Sequence, residues 1–193
     1  MRLLRPPFCD RCGAPTAWPV ARCRECAGRR LAFASARSAV EYAGPVRALV
    51  HAWKERGLRP LAACAVDLLV VCVERPAVDV ITYVPPDPVR QLSRGAHPAE
   101  ALARELARRW ELEMAPLLER TRAAPRQVSL PYAWRRANLH GVFAPTRSAA
   151  ARVLLVDDVY TTGSTVDAAA SALRRGGARL VEAVTLARAL RDS

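Results

Sequence analysis

Apolar positions repeat along the chain at two spacings. Val78 to Val84 (VDVITYV) is β-branched and short, the pattern of a strand, and Pro85-Pro86-Asp87-Pro88 closes it in a loop. Val153 to Val156 is an unbroken apolar run ending at Asp157-Asp158, as expected of a parallel strand buried on both faces. Leu180 to Leu186 gives a last strand, and Ser38 to Tyr42, within Leu31 to Tyr42, gives an early one. Between the strands the spacing turns helical. Gly44-Pro45 opens a helix to about Glu55, stopped by Gly57, and a second, Ala- and Leu-rich, runs from about Pro60 to Val73. Leu102, Leu106 and Trp110 mark a third, beginning near Pro98. Thr161 to Ser164 forms a turn, Thr165 to Arg175 a helix closed by Gly176-Gly177, and Tyr132 to Leu139 a short helix before Gly141-Val142-Phe143. Alternating strands and helices predict an α/β fold with a mostly parallel sheet flanked by helices.

The first thirty residues break this pattern. They hold four of the six cysteines and little apolar material, so residues 1–30 read as a small appendage and 31–193 as the main domain. Cys9-x2-Cys12 and Cys23-x2-Cys26 are two knuckles, each able to present two thiolates. Together they make a four-sulfur site suited to structural Zn²⁺, with no open position for catalysis. Disulfides fit a cytoplasmic chain poorly, and redox chemistry would need one pair only. Cys64 and Cys72 lie in the apolar second helix and read as core.

At 193 residues and 51% hydrophobic, the chain can bury a real core and is not disordered. The longest apolar run, Leu61 to Val73, contains Asp67 and is too short for a bilayer, so a cytoplasmic protein without a membrane span is expected. Thirty basic against eighteen acidic residues give +12, and Lys54 is the only lysine among them. Such a charge attracts nucleic acid and phosphorylated ligands. An Arg- and Ala-rich, Lys-poor composition also follows from a GC-rich genome, so charge alone names no partner. Lys54 is either a compact cation kept for phosphate or a residue snorkelling along its helix. Single-stranded DNA would need stacking aromatics as well as cations, for which Trp18, Trp53, Tyr132 and Trp134 are candidates; packing is the default for Trp53 and Trp110.

The segment from Val153 to Thr165 carries the most chemistry. An apolar strand delivers Asp157 and Asp158 to its C-terminal end, where ligands of parallel sheets bind. Thr161, Thr162, Gly163, Ser164 and Thr165 follow, then a helix, a combination that makes a nest for phosphate. The two acids suit ribose hydroxyls or help to place Mg²⁺. A helix cap would explain Ser164 or Thr165 alone, but not adjacent acids before a hydroxyl cluster.

VLLVDDVYTTGST resembles the phosphoribosyl-pyrophosphate (PRPP) motif of type I phosphoribosyltransferases. Tyr42-x-Gly44-x-x-Arg47, Trp53-Lys54-x-Arg56-Gly57, Arg94-Gly95, and Arg135-Arg136-Ala137-Asn138-x-x-Gly141-x-Phe143, behind a four-Cys ribbon, together resemble the ComF family (ComF/ComFC, GntX-like). The resemblance covers nearly the whole chain. It implies a zinc ribbon joined to a type I phosphoribosyltransferase-like domain, with a role in natural transformation beside a helicase-like partner, which would bring it to the inner membrane. Carried over by position, Asp157 and Asp158 hold ribose, Thr161 to Thr165 hold the 5′-phosphate, and Lys54, Arg90 and Arg94 are candidates for pyrophosphate. Where the family shows Arg-Gly-Phe-Asn-Gln, this chain has Arg94-Gly95-Ala96-His97-Pro98. The resemblance therefore leaves two functions open: a binding protein for PRPP, nucleotide or single-stranded DNA in DNA uptake, or an active Mg²⁺-dependent transferase of nucleotide metabolism or salvage.

Overall fold

The computed structural model describes residues 1–56, 60–87, 97–121 and 141–190. Arg90, Arg94, Tyr132, Trp134 and the helix expected over Tyr132 to Leu139 lie outside the described residues.

The elements run in the order β1 (Ser35–Glu41), α1 (Gly44–Arg56), α2 (Leu61–Cys72), β2 (Val80–Tyr83), α3 (Pro98–Trp110), β3 (Glu113–Met114), β4 (Leu118–Arg120), β5 (Phe143–Pro145), β6 (Arg152–Tyr160), α4 (Ser164–Arg175) and β7 (Leu180–Arg188). Five strands form one parallel sheet in the order β1-β7-β6-β2-β3, and β4 pairs with β5 in a separate antiparallel ribbon.

β6 is the centre of the molecule. Val153, Leu154, Leu155 and Val156 are fully buried because both faces of the sheet are covered. Burying each such side chain contributes about 1.5–3 kcal/mol. Successive residues face opposite layers. Leu154 and Val156 join the core that contains Val46, Val50 and Trp53 of α1, Val66 and Leu69 of α2, and Leu102 and Leu106 of α3. Val153 and Leu155 join the core that contains Val166, Ala169 and Leu173 of α4 and, without a break, Cys9, Cys12 and Cys26. The cysteine segment is thus packed on the sheet layer rather than tethered beside it. The chain before it also docks: Leu3 bridges Val40 antiparallel, which covers the β1 edge.

Three expectations change. β6 runs two residues beyond the aspartates at its expected end, to Tyr160, because β7 pairs with it as far as Tyr160↔Arg188. β2 is shorter than VDVITYV suggested, covering Val80–Tyr83. Cys64 is exposed and so is not a core residue, whereas Cys72 is half-buried and packs against the core that contains Val66 and Leu69. Asp67 is the one charged residue of α2, and Cys64 and Val71, three and four residues from it, share its exposed face; Val71 ends up 80% exposed. Trp53 and Trp110 are buried and Trp18 is 68% exposed, as the sequence led us to expect.

Candidate functional site

The β2 ladder ends at Tyr83↔Val156, while β7 continues alongside β6. Asp157 and Asp158 therefore sit where β6 has lost one neighbour, at the C-terminal edge where a parallel sheet opens into a crevice. Both carboxylates are buried. Alternation sends Asp158 toward the α1 layer, where the Lys54 ammonium meets its Oδ2. Asp157 Oδ1 accepts from the Asp158 N–H at 2.9 Å.

The two acids are driven apart electrostatically. Burial and the neighbouring Asp158 charge hold the Asp157 carboxyl well above the usual range, so it favours its neutral form. Burial also works against ionised Asp158, but Lys54 outweighs it and the pKa falls below the ordinary value. Burial likewise opposes the Lys54 charge, and Asp158 more than restores it. The two acids are thus pushed in opposite directions, Asp157 upward and Asp158 downward through its ion pair with Lys54.

A sharp loop follows β6. Gly163 has φ +72°, the left-handed region that favours glycine, and a Cβ there would lie 2.2 Å from the Tyr160 hydroxyl oxygen. Ser164 opens α4; its N–H donates to Thr162 Oγ1 at 3.3 Å, and the two hydroxyls lie 2.8 Å apart. Thr161 is exposed, Thr162 and Thr165 are half-buried, and Gly163 and Ser164 are buried. The first turn of α4 has N–H groups beyond the reach of helical carbonyls and a positive dipole end, general features of an anion-binding position.

Lys54 is thus the one candidate pyrophosphate contact among the described residues, and it is engaged with Asp158. His97, to which the sequence reading gave no role, also belongs here. It caps α3, its Nδ1 accepting from the Glu100 N–H at 3.3 Å, and its ring stands 6.0 Å from that of Tyr83. Burial is the main reason its pKa drops to about 4, against the opposing pull of Asp158, so the imidazole is neutral at physiological pH. With Nδ1 accepting, the proton is on Nε2. Its position before Pro98 and Glu100 was a readable capping signal.

The four sulfurs of Cys9, Cys12, Cys23 and Cys26 lie within 4.8 Å of one another. Cys9 and Cys26 Sγ are 3.6 Å apart, Cys12 and Cys23 3.4 Å, and Cys23 and Cys26 3.9 Å. A tetrahedral ion with bonds of about 2.3 Å needs edges of about 3.8 Å, so the set fits a metal such as zinc. The Cys23 N–H donates to Cys9 Sγ at 3.2 Å, a contact that stabilises thiolate. Backbone N–H groups of this kind overcome the upward push of burial at Cys9 and bring its thiol to about 7. Burial dominates at Cys26, raised to about 11, and lifts Cys12 further.

Contacts invisible in sequence join the cysteines to the loop. Arg29 Nη1 donates to the Thr162 carbonyl at 3.0 Å. The Ala32 N–H donates to Asp167 Oδ1, in the first turn of α4, at 2.7 Å. Arg188, only 1% exposed, donates from Nη1 to the Cys12 carbonyl at 2.7 Å and from Nη2 to Glu25 at 2.6 Å. The Arg188 guanidinium lies 4.3 Å from the centre of the Tyr160 ring.

Among the described residues no helix is long and apolar enough to cross a membrane. A family model described as "Phosphoribosyl transferase domain" matches residues 92–192. DNA utilization protein YhgH of Salmonella typhi is 31% identical over 95% of this chain and 85% of its own length. YhgH of Escherichia coli K12 is 30% identical with the same coverage. Competence protein F of Haemophilus influenzae is 28% identical, again over 95% of this chain and 85% of its own length. Of solved structures, a glutamine PRPP amidotransferase from B. subtilis, complexed with ADP and GMP, aligns with a TM-score of 0.43 and 21% identity. That alignment spans 70% of this chain and 26% of the amidotransferase chain. With a parallel sheet carrying Asp157-Asp158 into a hydroxyl loop, four clustered cysteines, and relatives aligned over nearly its whole length, the chain belongs to the ComF family of competence and DNA-utilization proteins, built on a type I phosphoribosyltransferase-like fold.

Proposed function

We propose that this protein serves DNA uptake in natural transformation and holds PRPP or a nucleotide by its ribose 5-phosphate portion. The observation that carries the reading is the junction of β6 and α4, where two buried carboxylates lead directly into a glycine-containing hydroxyl loop at a helix N-terminus. The 5′-phosphate would take N–H and hydroxyl donors from Thr161 to Thr165. Asp158, paired with Lys54, and Asp157 would each meet one ribose hydroxyl through a carboxylate oxygen.

Asp158 already faces Lys54, which leaves less negative charge at the pair for a bare divalent cation, so the pair suits a diol better. Mg²⁺ would arrive with the pyrophosphate of PRPP, neutralising charge there. Zn²⁺ on the four thiolates would close the two knuckles as a structural ion. Trp18 is exposed, as are Arg22, Arg24 and Arg30 of the same cysteine segment, which supports a contact with single-stranded DNA, in work shared with a helicase-like partner.

Calorimetry with PRPP and Mg²⁺ tests the site. Wild type should bind, and Asp157→Ala with Asp158→Ala should weaken binding at least about tenfold, the loss expected for hydrogen bonds to a charged group. Absence of wild-type binding overturns the ribose-phosphate reading. Pyrophosphate release in the same mixture would identify an active transferase: a nucleophile attacks C1′, the bond from C1′ to the pyrophosphate oxygen breaks, and pyrophosphate leaves with the electron pair. Rescue of transformation in a deletion strain, by wild type and by the double variant, tells whether the site serves DNA uptake.

A further inference from the structure

The contacts between ribbon and loop have a directional effect. In a trans peptide the carbonyl and the following N–H point in opposite directions. Arg29 holds the Thr162 carbonyl toward the ribbon, so the Gly163 N–H is turned away from it, outward from the loop. Gly163 could otherwise let this peptide flip, since glycine accepts either sign of φ.

The height of the loop is fixed from the same side. The Tyr160 ring packs under Gly163 so closely that no Cβ fits, and Arg188 lies against that ring while bonded to the Cys12 carbonyl. A third tie runs from the Ala32 N–H to Asp167 at the start of α4. The anchors belong to the knuckles themselves: Cys12 is one of the four clustered cysteines, and the Arg29 N–H bonds to the Cys26 carbonyl at 3.2 Å.

We propose that the cysteine ribbon is part of the phosphate site: Arg29 is a positioning residue that sets the Thr162–Gly163 peptide, and metal loading of the ribbon sets the affinity of the loop for a phosphomonoester. This inference rests on the reading of Thr161 to Thr165 as a phosphate loop. It adds that the ion, held by four thiolates with no open position, controls ligand affinity through named contacts. Loss of metal would release the Cys12 and Cys26 backbone, and with it the supports of the loop.

The test is a double cycle on the full chain, with ribose 5-phosphate as probe in calorimetry. Four samples are compared: metal-loaded and chelator-stripped wild type, and metal-loaded and stripped Arg29→Met. Loaded Arg29→Met should bind about tenfold more weakly at unchanged metal content and melting temperature, the size of one charge-assisted hydrogen bond. Arg29→Lys should recover part of the loss. Stripped wild type should show a similar loss, and stripping Arg29→Met should add little, because both changes act on one peptide. Should stripping unfold the chain, the loaded Arg29→Met and Arg29→Lys pair decides alone. Wild-type affinity in loaded Arg29→Met, or fully additive losses, would overturn the proposal. Loaded wild type that binds no ribose 5-phosphate would overturn the phosphate-loop reading itself, a different result from binding that ignores Arg29.

Discussion

Lys54 of α1 meets Asp158 of β6, so the only lysine in the chain neutralises one of the two acids at the edge of the sheet. Removing either partner leaves a charge in a poorly solvated place. Lys54→Met and Asp158→Asn should each destabilise the protein by about 1–2 kcal/mol, below the range for fully buried pairs because the Lys54 side chain keeps 39% of its exposure. The double variant should recover most of the loss. Urea melts of the four proteins measure this, and additive losses would show that the two groups do not act as a pair. The pair also contributes to acid sensitivity. Asp158 has a depressed pKa in the folded state, so its contribution is present above the ordinary aspartate pKa and is lost as pH falls through the folded value.

His97 should give a separate signature. Its folded pKa of about 4 lies below the ordinary histidine value of 6.5, so the unfolded chain binds more protons between these limits. Its contribution to stability is therefore complete above pH 6.5 and declines as pH falls toward 4. The groups acting on it are Asp158, Glu100, Lys54 and Arg120, with the Tyr83 ring alongside. His97→Asn should keep the α3 cap and remove that decline, whereas His97→Ala should cost about 1 kcal/mol at neutral pH. Melting temperatures across pH 4 to 7 separate the three proteins; a His97→Asn profile parallel to wild type would count against the assignment.

Gly163→Ala places a methyl group against Tyr160 in a left-handed conformation. The backbone alone should cost about 1–2 kcal/mol, with more for the displaced ring. Tyr160→Phe should not rescue it, because the new Cβ would also lie 2.5 Å from the ring carbon Cζ. Thermal melts of the single and double variants test this. Rescue would show that the hydroxyl, not the ring, limits the loop.

Arg188→Met removes a guanidinium buried among Cys12, Glu25 and Tyr160. The loss should be about 2–3 kcal/mol, toward the lower limit for a broken buried pair because the Glu25 side chain retains 25% exposure. The variant should also release metal to a chromogenic chelator faster than wild type. Wild-type release kinetics would mean that Arg188 steadies the sheet but not the ribbon.

Legibility in the sequence followed contiguity. Val153 to Thr165 could be read because strand, acids, loop and helix start are adjacent in the chain, and the two Cys-x2-Cys pairs because ligand spacing is local. β6 runs two residues past the aspartates through register with β7, a partner that the local sequence does not display. Arg29, Tyr160 and Arg188 carried no local signal; their roles exist only after the ribbon has folded onto the sheet. Cys64 shows a fainter signal: Asp67, three residues on, is the single charged residue of α2 and marks the face that meets solvent.

The bond from Arg188 to the Cys12 carbonyl joins residues 176 positions apart. During synthesis from the N-terminus, the cysteines of the ribbon emerge long before the strand that secures them. They can gather a metal while the chain is still growing, since their spacing is local. The clamp on Cys12 must wait for β7, although the cysteine segment also bonds to β1, where the Ala36 N–H donates to the Arg11 carbonyl at 3.0 Å. Long-range closure of this kind is slow. A chain that stalled before Arg188 could carry its metal but would lack the clamp beneath Tyr160.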